Sequence, residues 1–271
     1  MPGAWGYTKD NGPHTWNEVA PAGKGKRQSP IDIKPAECQF DPALNNPKLN
    51  WKYTPHNAQQ LINNGASAQI TYESSGSELA GGPLADKYKV AQFHLHWGKT
   101  ADTGSEHRID DKMFAAELHI VHYNADKYAT FGEAADKSDG LCVLGIFLKS
   151  GAAKDHLGLK KMTDLLKEVP NAGDSMSVSG GFDPMCVLPN DTDKYWTYLG
   201  SLTTPPLYES VTWIVFKDPI DVTEAQMNAF RSMNQNKKDE PQVQDEFDGK
   251  ICENYRPPQP LHDRVVRASF Q

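Results

Sequence analysis

The chain has 271 residues, of which 38% are hydrophobic and 23% charged, with 21 Gly and 19 Pro. This composition is typical of a folded, loop-rich globular protein and excludes a disordered, collagen-like or coiled-coil chain. The net charge of −7, without a long basic block, argues against nucleic acid as the main partner. No apolar run approaches the roughly 20 residues that a membrane-spanning helix needs, so no membrane association is expected.

The first fifty residues are rich in Pro, Gly and Asn and predict a segment that lies over a core formed elsewhere. Thr15 and Glu18 fit a capping box at the start of a short helix. Trp5, Tyr7 and Trp16 need apolar surface on which to pack.

The N-terminal residues show no basic region followed by an apolar stretch, so no secretory signal is predicted. The four cysteines lie far apart and include no Cys-x-x-Cys pair, which favours reduced thiols. Together these features predict a cytoplasmic protein.

Strand-like runs then follow in chain order, several of them with alternating apolar and polar residues, at 49–53, 67–73, 89–97, 117–124, 141–149 and 211–216. Helical periodicity is convincing at 162–169, before Pro170, and at 223–233, where Thr223 and Gln226 form a second capping-box pattern. No repeat and no uniform linker divides the chain. We therefore predict a single domain over residues 1–271, with a sheet as its scaffold and helices at its surface.

Two of the predicted strands carry histidines on one face. Because side chains alternate along a strand, Gln92, His94 and His96 share a face, and Glu117 and His119 share a face of the second strand. If these strands are neighbours, three imidazoles converge. Three neutral imidazoles form a zinc site with an open fourth position, which is the catalytic pattern. Gln92 and Glu117 are placed to orient His94 and His119.

A less specific interpretation also fits part of this pattern. A histidine in a strand is more often a hydrogen-bonded or surface residue than a metal ligand, and a His-x-His pair alone is a weak signal. The third histidine with its own carboxylate favours the zinc site. His122 points to the opposite strand face from His119 and is interpreted as a packing residue.

Several motifs together resemble the α-class carbonic anhydrases: Arg27-Gln28-Ser29-Pro30, Phe93-His94-Leu95-His96-Trp97-Gly98, Gly104-Ser105-Glu106-His107, Glu117-Leu118-His119-Ile120-Val121-His122 and Gly200-Ser201-Leu202-Thr203-Thr204-Pro205-Pro206. The similarity covers practically the whole chain. It implies a mostly β fold with peripheral helices, built as a single domain around a large, mainly antiparallel twisted central sheet. It also implies reversible hydration of carbon dioxide to bicarbonate and a proton by a zinc-bound hydroxide.

The resemblance assigns roles to individual residues. It implies that Zn²⁺ is bound by His94, His96 and His119, and that Thr203 and Glu106 orient the hydroxide toward the substrate. It further implies supporting hydrogen bonds from Gln92, Glu117, the backbone at Asn254, and His107 with Tyr198.

The implied carbon dioxide pocket has an apolar and a polar side. The apolar wall maps onto Val121, Val143, Leu202, Val211 and Trp213, whereas Thr204 borders the pocket on its polar side and Tyr7, Asn64 and Gln69 order water. Sulfonamide or anion inhibitors and a monomeric state are expected on the same ground.

One position departs from the family pattern. Fast members carry a proton-shuttle histidine directly after an Asn-Asn-Gly turn, and here the residue after Gly65 is Ala66. Neither His14 nor His56 matches a shuttle position. We therefore expect proton release to depend on external buffer.

A second departure concerns disulfides. Secreted relatives often join two positions that here hold Gly23 and Leu207, so that bridge cannot form.

Two other functions are compatible with parts of this pattern. A non-catalytic carbonic-anhydrase-related binding module is expected to have lost a zinc histidine, and all three are present here. Weak esterase activity is expected of a zinc-bound hydroxide, but the implied wall of Val121, Val143 and Trp213 suits a small gas better than the peptide substrate of a general zinc hydrolase. No His-Glu-x-x-His motif indicates a protease.

Overall fold

A computed structural model describes residues 5–178 and 180–271 of the chain. The prediction that no secretory signal is present falls partly on residues 1–4, which lie outside the described residues. No described helix has both the length and the apolar character that a bilayer crossing requires.

The described residues contain fifteen strands. In chain order these are β1 Asp32–Ile33, β2 Gln39–Phe40, β3 Asn50–Lys52, β4 Ala58–Asn63, β5 Ala68–Tyr72, β6 Glu78–Ala80, β7 Tyr88–Trp97, β8 Arg108–Ile109, β9 Ala116–Asn124, β10 Leu141–Ser150, β11 Ser175–Ser177, β12 Tyr195–Gly200, β13 Val211–Phe216, β14 Ile220–Val222 and β15 Arg267–Ala268. All six predicted strand runs are confirmed, with boundaries shifted by at most one residue.

Thirteen of these described strands form one large sheet, and β1 pairs with β8 separately. Its order is β11-β4-β5-β7-β9-β10-β13-β12-β15-β2, with β3, β6 and β14 beside this path. Most pairs are antiparallel, and the parallel exceptions are β10 with β13, β10 with β14, and β15 with β2. The predicted fold class, a mostly β protein around a mainly antiparallel central sheet, is confirmed.

Helices within the described residues are short and peripheral: α1 Trp16–Val19, α2 Phe131–Ala134, α3 Leu157–Leu165 and α4 Glu224–Arg231, with 3-10 turns at Pro21–Lys24, Pro35–Glu37, Pro42–Leu44, Pro55–Asn57, Leu166–Glu168 and Pro184–Val187. The capping box predicted at Thr223 and Gln226 is confirmed at the start of α4. The one predicted at Thr15 is wrong, because the Thr15 hydroxyl donates to the carbonyl of Gly12 at 2.9 Å and not into α1.

Strands β7, β9 and β10 form the centre of the sheet, and β9 is buried along its whole length. One face packs on the larger apolar core, which includes Phe93 and Ile120. The other face carries a second apolar core that includes Val121, Val143 and Trp213. His94, His96 and His119 lie on this second face because they alternate with residues of the first.

The N-terminal segment packs on this scaffold as an aromatic cluster. Trp5, Tyr7 and Trp16 meet edge to face, with ring centroids 5.3–6.0 Å apart. They pack with the buried side chain of Leu207. All four cysteines are free.

Candidate metal centre

Three histidines converge at the middle of the sheet. His94 and His119 are direct partners across the antiparallel pair β7–β9, and His96 faces Glu117 in the same ladder. One ring nitrogen from each of the three histidines lies within 4.8 Å of the other two. The strands predicted from the sequence are therefore neighbours, and their register brings the imidazoles together.

Each imidazole is oriented by a hydrogen bond from its other nitrogen. His94 Nδ1 lies 2.8 Å from Gln92 Oε1, and His96 Nδ1 lies 2.7 Å from the carbonyl oxygen of Asn254. His119 instead uses Nε2, which lies 2.7 Å from Glu117 Oε1. Since all three partners accept, the nitrogens left to face one another as lone-pair donors are Nε2, Nε2 and Nδ1 respectively.

The three rings are suited to a cation. Burial, followed by the charges of the other two rings, holds the pKa of His94 well below its usual range. Burial lowers the pKa of His96 to about 4 and also lowers that of His119. At neutral pH the rings are therefore uncharged, which is the form that binds metal.

The spacing of the nitrogens fits zinc. His94 Nε2 and His96 Nε2 are 3.1 Å apart. Both rings donate through Nδ1, so no proton lies between these two lone pairs and their contact is unfavourable unless a cation separates them. Two nitrogens on tetrahedral zinc are about 3.3 Å apart, given bonds of about 2.0–2.1 Å. His94, His96 and His119 thus form a three-histidine zinc site.

Glu117 supports the metal centre through hydrogen bonds to His119 and to neighbouring groups. Its Oε1 accepts from His119 Nε2 and from His107 Nδ1, each at 2.7 Å. Its Oε2 accepts from the backbone N–H groups of Glu106 and His107 at 2.9 and 2.8 Å. Burial alone raises the pKa of Glu117, but His107 and His119 outweigh it and hold the pKa well below the usual range. The carboxylate is therefore ionised and accepts four hydrogen bonds.

His107 continues this network away from the metal. Its Nε2 lies 2.6 Å from the hydroxyl of Tyr198, which lies 2.9 Å from the hydroxyl of Ser29. His107 and Glu117 are both fully buried. Both ring nitrogens of His107 therefore lie within hydrogen-bond distance of a side chain, one of Glu117 and the other of Tyr198.

Glu106 lies beside the rings with one oxygen unpaired. Its Oε1 accepts from the backbone N–H of Arg256 at 2.8 Å, whereas its buried Oε2 has no hydrogen-bond partner among the described residues. Oε2 is 3.4 Å from His96 Nε2 and 3.9 Å from His119 Nδ1. Burial raises the pKa of Glu106 to about 7, while His119 and an interaction with the nearby Thr203 hydroxyl lower it.

An apolar wall flanks the histidines. Val121, Val143 and Trp213 are register partners on the adjacent strands β9, β10 and β13, and all are at most 3% exposed. Val211 lies on the same face of β13, two residues before Trp213, and Leu202 packs against the same cluster. The Trp213 ring centroid is 4.8 Å from that of His119.

The residues predicted for the polar side lie on several elements. Gln69 is the register partner of His94 on β5, and its side chain is half-buried. Burial raises the pKa of the Tyr7 hydroxyl, and the charge of Glu106 raises it further. Thr204 is half-buried in the loop after β12.

Asn64 and Ala66 lie in the turn between β4 and β5. Asn64 is exposed, and its side-chain oxygen accepts from the backbone N–H groups of Ala66 and Ser67 at 3.0 and 2.8 Å. The carbonyl of Ala66 accepts from Asn254 Nδ2 at 2.8 Å.

Sequence reasoning missed two residues that support the site. Gly145 is the register partner of His119, and a Cβ there would come within 3.2 Å of Glu117 Oε1. A glycine inside an apolar strand is the signal that marks such close approach. Arg256, whose amide holds Glu106, gives no comparable signal because its neighbours are distant in sequence.

His122 lies on the other face of β9, where it is fully buried. Its Nε2 is 2.8 Å from the hydroxyl of Tyr53, and its Nδ1 is 3.1 Å from the carbonyl of Ile120. It takes no part in the metal centre.

Comparison with known proteins gives a family and close relatives. A family profile described as eukaryotic-type carbonic anhydrase matches residues 11–270. The chain is 45% identical to human carbonic anhydrase 7 over 269 residues, which cover 98% of this chain and 97% of that protein. It is 43% identical to mouse carbonic anhydrase 1 over 268 residues, or 98% of each chain.

Proposed function

Since the chain belongs to the eukaryotic-type carbonic anhydrase family and has the intact zinc site of a carbonate dehydratase, we propose that its hydration of carbon dioxide is limited by proton transfer to external buffer. The observation that carries the hydration chemistry is the convergence of three neutral imidazole nitrogens from His94, His96 and His119. The observation that carries the buffer dependence is Ala66 at the turn between β4 and β5.

A zinc ion held by these rings would act as a Lewis acid, which no side chain here can do. It would lower the pKa of its bound water to about 7, the value familiar from carbonic anhydrases in general. The chain supplies orientation. Gln92, the carbonyl of Asn254, and Glu117 each hold one ligand ring in its metal-binding tautomer.

Thr203 and Glu106 are proposed to set the direction of attack. Glu106 Oε2 has no hydrogen-bond partner among the described residues, and the Thr203 hydroxyl is close enough to lower its pKa. A threonine hydroxyl has a single hydrogen. Once that hydrogen is donated to Glu106, the Thr203 oxygen can only accept a hydrogen bond from the nucleophile, which leaves a nucleophile lone pair free for the substrate carbon.

The substrate is proposed to rest on the wall formed by Val121, Val143, Leu202, Val211 and Trp213. Carbon dioxide is small and apolar, so a wall of this kind holds it loosely and gives no hold to charged bicarbonate. Thr204, Tyr7, Asn64 and Gln69 are proposed to order water on the opposite, polar side.

Proton release is the step that we propose limits turnover. At neutral pH, hydroxide at about 10⁻⁷ M and a diffusional rate constant of roughly 10¹⁰ M⁻¹s⁻¹ remove only about 10³ protons per second. A millimolar buffer reacting at about 10⁸ to 10⁹ M⁻¹s⁻¹ supports about 10⁵ to 10⁶ per second. Alanine cannot carry a proton, so turnover should follow buffer concentration.

The test measures turnover by stopped-flow hydration against imidazole concentration. We expect wild-type turnover to rise with imidazole. The Ala66→His variant should turn over faster in weak buffer because its imidazole titrates near neutral pH. Ala66→Gln is the matched control, since glutamine adds similar bulk but carries no proton. If wild-type turnover is already high in weak buffer and does not change with imidazole concentration, another residue acts as the proton shuttle.

Ester hydrolysis in the same samples compares the rival functions. Weak esterase activity beside fast hydration fits the proposal. Ester hydrolysis that outpaces hydration would indicate a general zinc hydrolase, and zinc binding without either activity would indicate a binding module.

The proposal has four further parts. We propose one domain over residues 1–271, since β2 and β15, from opposite ends of the chain, pair in one sheet. We propose a cytoplasmic location, since four free cysteines suit a reducing compartment. We propose a monomer, since the large exposed apolar side chains belong to different elements, among them Phe40 and Leu157. Sulfonamides and small anions should inhibit by occupying the open metal position.

A further inference from the structure

Gln28 and Ser29 of the Arg27-Gln28-Ser29-Pro30 motif make further contacts that the function described so far does not use. Gln28 and Ser29 are 3% and 0% exposed, yet neither contacts a metal ligand. Instead they hold the two ends of the loop that carries Thr203. Ser29 and Ser201 exchange two hydrogen bonds, from the backbone N–H of each to the hydroxyl of the other, at 2.9 and 3.0 Å. Gln28 Nε2 lies 3.1 Å from the carbonyl of Leu207 at the other end.

Glu106 is held by a different segment. The backbone of residues 254–256 places the carbonyl of Asn254 against His96 and the N–H of Arg256 against Glu106 Oε1. This segment and the Thr203 loop are distant in sequence. Their relative position decides how far the Thr203 hydroxyl lies from the unpaired oxygen of Glu106.

The side chain of Arg256 joins the two segments. Its Nη1 donates at 2.8 Å to Gln28 Oε1 and at 2.8 Å to the carbonyl of Ser29. Arg256 is only 3% exposed. Burial lowers its pKa to about 10, with Glu106 and Tyr7 acting in the opposite direction, so the guanidinium stays charged at neutral pH. Hydrogen bonds from a buried charged donor are stronger than neutral ones.

We propose that Gln28 and Arg256 are a pair of positioning residues that set the separation of the Thr203 hydroxyl from Glu106. The proposal rests on the proposed role of Thr203 and Glu106. Neither positioning residue touches substrate or metal. A hydroxyl-to-carboxylate hydrogen bond tolerates only about 2.5–3.0 Å between oxygens, so a small shift of the loop breaks it.

The first experiment measures stopped-flow hydration by the zinc-loaded Gln28→Leu variant. Loss of the link misplaces Thr203, and kcat/KM should fall about 10- to 100-fold. Proton release follows departure of bicarbonate and does not enter kcat/KM, so kcat in weak buffer should change far less. The apparent KM should therefore rise. Zinc affinity, measured by chelator competition, should stay within about twofold, because Gln28 contacts no ligand.

Two further variants guard against a general loss of folding. Gln28→Glu can still accept from Arg256 but cannot donate to Leu207 or to Glu209 Oε1, which lies 3.2 Å from Gln28 Nε2, and should lower kcat/KM in the same direction. Its unfolding midpoint is measured beside kcat/KM, because the two carboxylates repel. Gln226→Leu removes another buried glutamine, 3% exposed, which caps α4 and bonds to His156. It should leave kcat/KM unchanged even if it lowers the unfolding midpoint.

A double-mutant cycle with Thr203→Ala gives the decisive result. If Gln28 acts through Thr203, Gln28→Leu should lower kcat/KM by less than about twofold once Thr203 is alanine. Full additivity, or an unchanged kcat/KM in Gln28→Leu alone, overturns the positioning role while leaving the proposed function intact. If Thr203→Ala itself leaves kcat/KM unchanged, the proposed role of Thr203 fails and the positioning role fails with it.

Discussion

Replacing Glu117 by glutamine tests how the chain holds its metal. Glu117 accepts four hydrogen bonds, two from backbone N–H groups at Oε2 and two from imidazoles at Oε1. A glutamine has the same shape but one oxygen becomes an NH₂ donor. The backbone N–H groups of Glu106 and His107 cannot change, so the amide nitrogen must face the rings. His119 must then accept at Nε2 and carry its proton on Nδ1, the nitrogen that faces the metal.

The expected loss of zinc affinity follows from the loss of the hydrogen bond between His119 and the charged Glu117. A hydrogen bond to a charged group contributes about 1.5–3 kcal/mol. Zinc binding in Glu117→Gln should therefore weaken about 10- to 100-fold, the range common for groups that orient metal ligands, with carbonic anhydrases among the proteins on which that range is based. Competition with a chromophoric chelator at pH 7 measures the effect.

Glu224→Gln is the matched control for this prediction. It replaces a carboxylate that bonds to Ser150 on the surface, and should leave zinc affinity unchanged. Zinc binding by Glu117→Gln within about twofold of wild type would refute the reasoning, because the tautomer of His119 would then not depend on Glu117.

Three other predictions concern the Thr203 hydroxyl, the apolar substrate wall and acid stability. Thr203→Ala should lower kcat/KM for hydration about 100-fold while Thr203→Ser retains most of it, and equal losses in both would contradict a role for the hydroxyl. Val143→Phe should lower kcat/KM about tenfold or more by filling the substrate wall, whereas Val143→Ile should have little effect in the same assay. Burial lowers the pKa of His122 to about 3, so the unfolded chain takes up this proton first and the stability contribution is present above pH 6.5 and lost as the pH falls toward 3. Urea unfolding of the zinc-free protein should therefore lose about 2 kcal/mol more between pH 7 and pH 5 in wild type than in His122→Gln, and equal losses would contradict this origin.

The face that each histidine presents could be predicted from the sequence, because side-chain alternation is a local property of a strand. Gln92, His94 and His96 share a face for that reason alone. Whether His119 joins them depends on the pairing of β7 with β9, which the residue pattern leaves open and the family resemblance implies.

Contacts between segments that are far apart in the sequence could not be predicted from local residue patterns. The parallel pairing of β10 with β13, which sets Val143 beside Trp213, joins residues about seventy positions apart. The hydrogen bond from the Arg256 side chain to Gln28 joins residues 228 positions apart. Nothing local in either sequence segment marks its partner.

The capping box predicted at Thr15 shows that a local motif can be present in the sequence and still not form in the structure. The motif was present, but the Thr15 hydroxyl bonds back to Gly12 within a tight turn. Short polar side chains can satisfy nearby backbone groups in several ways, and α1, with four residues, is too short to favour one.

The central claim is tested most directly by X-ray absorption spectroscopy of the zinc-loaded protein at neutral pH. The account predicts a four-coordinate zinc with three imidazole nitrogens at about 2.0–2.1 Å and one solvent oxygen. A fourth protein ligand, a sulfur atom, or fewer than three imidazoles in the zinc shell would contradict it.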